Sequence, residues 1–211
     1  MTDAARHERR LELVSTILLS LATVATAWAA YQSRQWTGEQ SEATAKATAT
    51  RIAENRYSAL ANRQVQIDVA TFIQWLNARQ EHDPQVADFY RARFRAEFKP
   101  AFAAWLATRP FTDKAAPPTP FATARYRLKA EAQAGQLEKD AAAASEHAKT
   151  ANQHADNYML GVVLFATALF FAGLSTKMQT LRARTVVLGL GCVVFLGSLI
   201  WIVTLPVALT T

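Results

Sequence analysis

Long apolar blocks alternate with a mixed polar region along this chain. The blocks at residues 11–31, 158–178 and 186–209 each approach the roughly 20 apolar residues that an α-helix needs to cross a bilayer. The third block holds 24 residues and no charge, whereas the first contains Glu12 and several hydroxyl side chains. The pattern therefore predicts three transmembrane helices, of which the first has the weakest signal.

Small or apolar residues also recur with alternating steps of four and three along residues 122–178, which we predict to form one long helix. This spacing is typical of a helix-packing seam. The seam consists of Ala130, Ala134, Leu137, Ala141, Ala144, Ala148, Ala151, Ala155, Tyr158 and Val162. Because most of these residues are alanine, a partner helix can approach closely. The helix need not end at the membrane surface, since its backbone hydrogen bonds are internal. Asn157 in this helix, and Gly38 in the helical segment that precedes the cap, are points where the chain could bend.

The arm before this seam, from Trp36 to Gln80, contains no proline and only Gly38 as a breaker, so it predicts a second long helix. Its membrane-proximal half is rich in alanine and threonine. Its distal half carries a bulkier stripe at Val65, Val69, Phe72 and Leu76. This change in side-chain size predicts that the helix pair widens toward a distal core.

The residues between the two arms, about 81–121, predict a cap of short helices. Asp83 suits an N-cap and Pro84 the first helical position, so a helix should run from Gln85 to about Lys99 and be kinked or restarted by Pro100.

Four prolines between Arg109 and Phe121 predict an extended, semi-rigid loop after the cap helices. Eleven aromatic side chains lie between Phe72 and Tyr126, and burying them supplies the apolar area that the cap needs to fold. Phe111 and Phe121 should clamp the proline-rich loop onto this aromatic cluster.

Together these elements predict an all-α integral membrane protein with three transmembrane helices and a long extracytoplasmic antiparallel helical hairpin capped by short helices. The predicted divisions are a cytoplasmic N-terminus at 1–10, spans at 11–31, 158–178 and 186–209, the hairpin at 32–157 and a cytoplasmic turn at 179–185.

The orientation follows from two short basic flanks. Arg6, Arg9 and Arg10 precede the first span, and Lys177, Arg182 and Arg184 lie around the turn before the third. The positive-inside rule makes both flanks cytoplasmic, and they agree because two crossings separate them. The hairpin and Thr211 would then lie outside the cytoplasm, in the periplasm of a Gram-negative host.

The first apolar block also resembles a secretory signal, with a basic start and the A-x-A sequence Ala27-Trp28-Ala29. The helical pattern continues past it through Tyr31 and Trp36, and tryptophan with tyrosine suits an interfacial belt. We therefore expect a retained first span. Its small and hydroxylated face, formed by Thr16, Ser20, Thr23 and Ala27, should pack against other spans.

Charge and composition exclude several function classes. The net charge is +6, and residues 32–157 hold 17 Lys or Arg against 14 Asp or Glu, which is a mixed surface rather than a nucleic-acid footprint. The single Cys192 lies in the third span, so no disulfide or thiol pair is predicted. No ionisable residue lies deep in a span, which argues against a transporter or channel made of this chain alone.

No catalytic, cofactor or metal signature stands out. Phosphate loops, nucleophile motifs and metalloprotease motifs are absent from the sequence. His147 and His154 share a helix face but are seven residues apart, too far along a helix to share one ion. We therefore expect a protein that is not an enzyme and that has no cofactor or metal.

One charged cluster is a candidate partner-binding site. Arg91, Arg95 and Lys99 follow helical steps of four, with Arg93 beside them, and Glu97 can pair with Arg93 in the same helix. The three residues would then lack local compensation. They could contact acidic residues of the neighbouring hairpin helix or dock an acidic partner protein.

Four segments resemble a family of uncharacterised bacterial three-span membrane proteins. These segments are ATAWAAYQSRQWTGEQ, IDVATFIQWLNA, FYRARFRAEFKPAFAAWLATRP and DNYMLGVVLFATALFFAG, within residues 25–40, 67–78, 89–110 and 156–173. The resemblance implies a location in the bacterial inner membrane and a retained first span. It implies no activity and no functional residue.

Two functions follow from this architecture. The first is a scaffold or accessory subunit that contacts another protein through the extracytoplasmic helical domain. The alternative is a membrane sensor that binds a small ligand between its extracytoplasmic helices and signals through a partner. Homo-oligomerisation suits both, because a single hairpin leaves further faces of its alanine-rich helices to cover.

Overall fold

The computed structural model describes residues 3–208 and is all-α over that range. The elements are α1 (Asp3–Gln80), α2 (Pro84–Arg93), α3 (Lys99–Ala107), a 3-10 turn (Pro120–Ala122), α4 (Lys129–Ser175) and α5 (Leu181–Val203). Three of the helices, α1, α4 and α5, are long and apolar enough to span a membrane. The first two residues, the predicted end of the third span at residue 209 and Thr211 lie outside the described residues.

Both long helices are unbroken where the sequence allowed a bend, since α1 continues through Gly38 and α4 through Asn157. The predicted start of the second long helix at Ala122 is wrong, because α4 begins at Lys129. Residues 120–128 instead form a 3-10 turn and further turns. These turns let Phe121 and Tyr126 face the aromatic cluster, which a straight helix would not allow.

All ten positions of the predicted alanine-rich seam are buried or half-buried, so the four-three pattern is confirmed.

The chain divides into two compact units, which share α1 and α4. Unit 1 comprises Met1–Ala45 and Ala144–Thr211, and unit 2 comprises Lys46–Ala143.

Unit 1 is a three-helix bundle with an apolar core. Its buried residues come from α1, α4 and α5, and they include Ala22, Tyr158, Phe165 and Phe195. Gly191 lets α5 approach α4, because a Cβ atom there would lie 3.2 Å from Phe171 Cβ and 3.4 Å from a backbone oxygen of α4. The other α5 glycines face open space, so only one of the three permits close packing in this unit.

The predicted hydroxylated face of the first span does not pack inside unit 1. Thr16, Ser20 and Thr23 are exposed, and each hydroxyl donates a hydrogen bond to the carbonyl four residues earlier. The buried face instead carries Leu18 and Ala22. Ser15, at 1% exposure, is also buried there, so a hydroxyl group does not by itself keep a residue out of the bundle. The hydroxyl groups of the exposed face are satisfied by their own helix.

Polar contacts join the helices at each end of unit 1. At one end, Arg184 at the start of α5 lies 3.9 Å from Glu8 at the start of α1. At the other end, Trp36 Nε1 and Tyr158 Oη both donate to the Pro206 carbonyl, each at 3.2 Å.

The same end of unit 1 contains two further hydrogen bonds. The fully buried Gln32 accepts from the Ala208 amide at 3.0 Å, and Ser33 Oγ donates to the Ala155 carbonyl at 3.0 Å. The contacts of Gln32, Trp36 and Tyr158 satisfy backbone groups beyond the end of α5, which would otherwise be costly to leave unpaired, while that of Ser33 joins α1 to α4.

Unit 2 contains the aromatic cluster predicted for the cap. Its buried members lie on α1, on α3 and in the segment between α2 and α3, and they include Phe72, Trp75, Phe98, Phe102 and Trp105. The predicted clamp by two phenylalanines is confirmed. Phe111 packs edge-on against Trp105 at 5.7 Å between ring centres, and Phe121 stacks on Phe98 at 5.2 Å.

The turn from α1 into α2 forms as predicted. Asp83 caps α2 by accepting hydrogen bonds from the amides of Gln85 and Val86, both at 3.1 Å, and Pro84 begins the helix. His82 adopts the left-handed conformation, with φ of 58°, that commonly ends a helix. Because that conformation disfavours residues with a Cβ atom, this histidine is a point of mild backbone strain.

Candidate functional site

The predicted basic cluster is divided by a break between the two cap helices. The sequence predicts one helix from Gln85 to about Lys99, but α2 ends at Arg93 and residues 94–98 form a bend and turns. In this shape Phe94 and Phe98 both reach the aromatic cluster, at 3% and 0% exposure. Burying two aromatic rings outweighs the few helical hydrogen bonds lost, so Arg91, Arg95 and Lys99 do not share one helix.

Arg95 is held inside unit 2 by a buried carboxylate. Its Nη1 donates to Asp68 Oδ2 at 2.7 Å, and its Nη2 donates to Glu97 Oε2 at 2.7 Å. Tyr126 Oη donates to the same Asp68 oxygen at 3.1 Å. Asp68 is fully buried, whereas the side chains of Arg95 and Glu97 are 21% and 23% exposed. This network ties α1 to the segment between α2 and α3 and to the turn before α4.

Burial is the main influence on both acidic groups of this network. Desolvation raises the pKa of the Asp68 carboxyl above its ordinary value, although the Arg95 charge and the Tyr126 hydrogen bond oppose the shift. Desolvation, followed by the nearby Asp68 charge, also raises the pKa of the Tyr126 phenol. Asp68 Oδ1 has no hydrogen-bond partner among the described residues. The network therefore costs desolvation energy and fixes the position of the cap rather than leaving Arg95 available to a partner.

Asp68 was missed by the sequence analysis, although a signal was present. It lies seven residues after Ala61 and four before Phe72, both of which are buried, so it occupies the inward face of α1. Of the predicted stripe, Phe72 is buried, whereas Val65, Val69 and Leu76 are half-buried. A carboxylate at a core spacing needs a cation, and that requirement would have assigned Arg95 to an internal role.

Arg93 also has an internal role. Its guanidinium carbon lies 3.4 Å from the centre of the Phe89 ring, and its Nη1 donates to the Phe89 carbonyl at 3.2 Å. The predicted pairing of Arg93 with Glu97 is therefore wrong, since Glu97 pairs with Arg95. Ending α2 at Arg93 removes the helical step of four that this pair required.

Arg91 and Lys99 remain exposed and line one surface cleft. We call this depression the cap cleft; its volume is about 460 Å³, and its lining is Asp88, Arg91, Ala92, Phe94, Lys99, Phe102 and Ala103. It contains residues of both α2 and α3 over two rings of the aromatic cluster. Neither Arg91 nor Lys99 forms an ion pair with another residue in the described range. Lys99 opens α3, whose N-cap residue supplies no side-chain hydrogen bond, so the helix end adds positive potential there.

A second, smaller cleft of about 310 Å³ lies between α1 and α4 within unit 2. Its lining is polar and mixed in charge: Arg51, Glu54, Asn55, Glu138, Ala141 and Ala142. It has no aromatic or large aliphatic wall against which an apolar ligand could pack. Across the described residues, no three His, Cys, Asp or Glu side chains are grouped as metal ligands would be.

Comparison with known proteins adds no assignment: no family model, no curated protein and no solved structure matches this chain. The resemblance to bacterial three-span membrane proteins stays a prediction.

Proposed function

We propose that this chain is a non-enzymatic, multi-pass protein of a bacterial inner membrane that acts as a scaffold or accessory subunit. In this proposal the N-terminus is cytoplasmic, and residues 32–157 form an extracytoplasmic helical hairpin whose cap contacts another protein. Unit 1 supports the membrane location. Large apolar side chains cover its surface, with Val186, Ile200 and Val203 each at least 70% exposed, which suits lipid and not water.

The contacts at the ends of unit 1 support a common side for the two basic flanks. The ion pair between Glu8 and Arg184 brings together the N-terminal flank and the start of α5, both expected in the cytoplasm. Trp36 and Tyr158 gather at the opposite end around Pro206, and such amphipathic rings favour a membrane–water interface.

The observation that carries the partner-binding proposal is the division of the basic cluster. Arg93 and Arg95 are consumed by contacts within unit 2, whereas Arg91 and Lys99 stay exposed and unpaired in one cleft. Contacts within unit 2 account for the positions of the first two side chains, whereas the other two share one cleft. Two exposed cations that line one cleft with a single carboxylate, Asp88, and form no ion pair with any described residue leave a net positive surface that favours an intermolecular contact.

The test is to extract the protein from its native membrane into nanodiscs and to measure the mass and composition of the intact particle. A second polypeptide at fixed stoichiometry is the expected result. A particle that contains only this chain, as a monomer or a closed homo-oligomer, would overturn the accessory-subunit proposal. The small-ligand sensor would then become the leading alternative.

A further inference from the structure

We infer that the cap cleft takes an acidic, extended segment of a partner protein, with one carboxylate held between Arg91 and Lys99. This inference rests on the proposed function and adds the chemistry of the partner. Both cations are exposed, both line the same depression and neither is engaged by an acidic residue in the described range. A carboxylate between them would form charge-assisted hydrogen bonds, which are the stronger kind.

The shape of the cleft favours a peptide side chain over a flat protein surface. It is an open depression of about 460 Å³, bordered by α2 on one side and α3 on the other. Phe94 and Phe102 lie beneath it and are each only 3% exposed, so the floor provides little apolar area. Binding energy at this site must therefore come mostly from charge, which favours an acidic segment rather than an apolar one.

Asp88 limits where an acidic side chain can lie in the cleft. It lines the same depression as Arg91, three residues away on α2. A carboxylate of the partner placed near Asp88 would be repelled, so the bound acid lies between Arg91 and Lys99 and away from Asp88. Removing the Asp88 charge should strengthen binding, while reversing the two cations should abolish it.

The experiment uses the full chain in its native membrane, with a photoreactive benzoylphenylalanine at Ala92 or Ala103. Both residues are exposed and line the cleft. Ala59 and Ala70, which are exposed on α1 in the same unit, are matched control positions. After illumination, the cross-linked peptide is identified by mass spectrometry. The expected product is one peptide with clustered Asp or Glu, captured from Ala92 and Ala103 but not from the controls.

Charge variants then test the chemistry. Arg91→Glu/Lys99→Glu should lower the cross-link yield by about tenfold or more, as expected for losing charge-assisted contacts. Asp88→Asn should raise the yield severalfold. Lys114→Glu/Arg125→Glu, at two exposed cations outside the cleft, should leave the yield unchanged. Because Asp88→Asn predicts a gain, misfolding of the charge-reversed variant cannot by itself decide the result.

The outcomes separate this inference from the proposed function. Capture of a neutral or basic peptide, of lipid, or of a partner only from the control positions would overturn the acidic-segment inference while a stable partner still supported the accessory role. A purified particle that contains no second protein would overturn both. The inference would also be rejected if the cross-link yield were unchanged both in the Asp88→Asn variant and in the separate Arg91→Glu/Lys99→Glu variant.

Discussion

The two units of this chain use the same kinds of apolar residue in opposite ways. Unit 1 leaves many large aliphatic side chains, such as Ile200 and Val203, on the outside and has small residues, such as Ala22 and Gly191, between its helices. Unit 2 buries the central rings of its aromatic cluster, such as Phe98 and Phe102, and presents most of its charges outside. Water drives the packing of the second core, whereas in lipid the outside of a bundle is as apolar as its inside.

The units also differ in their buried polar groups. Unit 1 buries neutral groups such as Gln32 and Ser33, which bond to backbone partners. Unit 2 buries a carboxylate, Asp68, and surrounds it with Arg95 and Tyr126. A charge is tolerable near water because its partner can remain partly solvated, as the exposure of Arg95 shows, while in lipid the same pair would be far more costly.

The sharpest test of this comparison uses two equally buried phenylalanines. Phe98 in unit 2 and Phe165 in unit 1 are 0% and 1% exposed. Phe98→Ala should lower the free energy of unfolding by about 3–5 kcal/mol, because it loses both the free energy gained by transferring the ring out of water and the packing contacts of the ring. Phe165→Ala should cost less, since only packing is lost in lipid.

Both phenylalanine variants would be measured as full chains under one set of micelle conditions, with unfolding followed by near-UV circular dichroism. An equal or larger loss for Phe165→Ala would contradict the view that the two cores face different solvents.

A second test addresses the buried ion pair. Arg95→Leu should cost about 3 kcal/mol, because it leaves the Asp68 charge buried without its cation. Asp68→Leu/Arg95→Leu should recover most of this loss, and Glu97→Gln should cost less than about 1 kcal/mol because that pair is partly solvated. Chemical denaturation of the four proteins measures these differences. A double variant as unstable as Arg95→Leu would show that the arginine acts through packing.

A third test targets close packing in unit 1. Gly191→Leu should destabilise the bundle by about 1–3 kcal/mol, because its Cβ atom would already contact the backbone of α4 and leave no room for the rest of the side chain. Gly189→Leu, whose Cβ atom would face open space, should change little and serves as the matched control. The resistance of each variant to unfolding in sodium dodecyl sulfate reports the difference. Equal effects would mean that α4 and α5 are not this close.

The smallest expected effect is a pH dependence from Asp68. Because the pKa of its carboxyl is raised in the folded chain, the folded state takes up a proton at a higher pH than the unfolded chain does. The stabilising contribution is fully present below the unfolded pKa of about 3.9 and is lost as pH rises through the raised value.

Wild type should therefore gain stability relative to Asp68→Asn as pH falls from neutral toward 4. Denaturation of both proteins across that range measures the change. A loss relative to Asp68→Asn would indicate a depressed pKa and a stabilising charge.

Some features were predictable because they depend only on spacing. The four-three seam of α4 and the cap at Asp83 and Pro84 are set by helix geometry and local hydrogen bonding, so the sequence pattern found both. The start of α4 at Lys129 was not predictable in this way. Phe121 and Tyr126 leave the helix to pack on rings contributed by α1 and by the turn before α3, which are distant in sequence.

The candidate site likewise has one part that the sequence predicted and one part that only the structure showed. Residue type and spacing alone identified Arg91, Arg95 and Lys99 as a basic cluster. Only the tertiary structure assigned Arg95 to Asp68, 27 residues away, and brought Arg91 and Lys99 into one cleft. The periodicity of a helix and the length of an apolar segment depend only on residues that are close in sequence, so the sequence by itself determined the helices and the apolar blocks. The pairing of charges depends on which helices meet, and that was decided by packing the aromatic core.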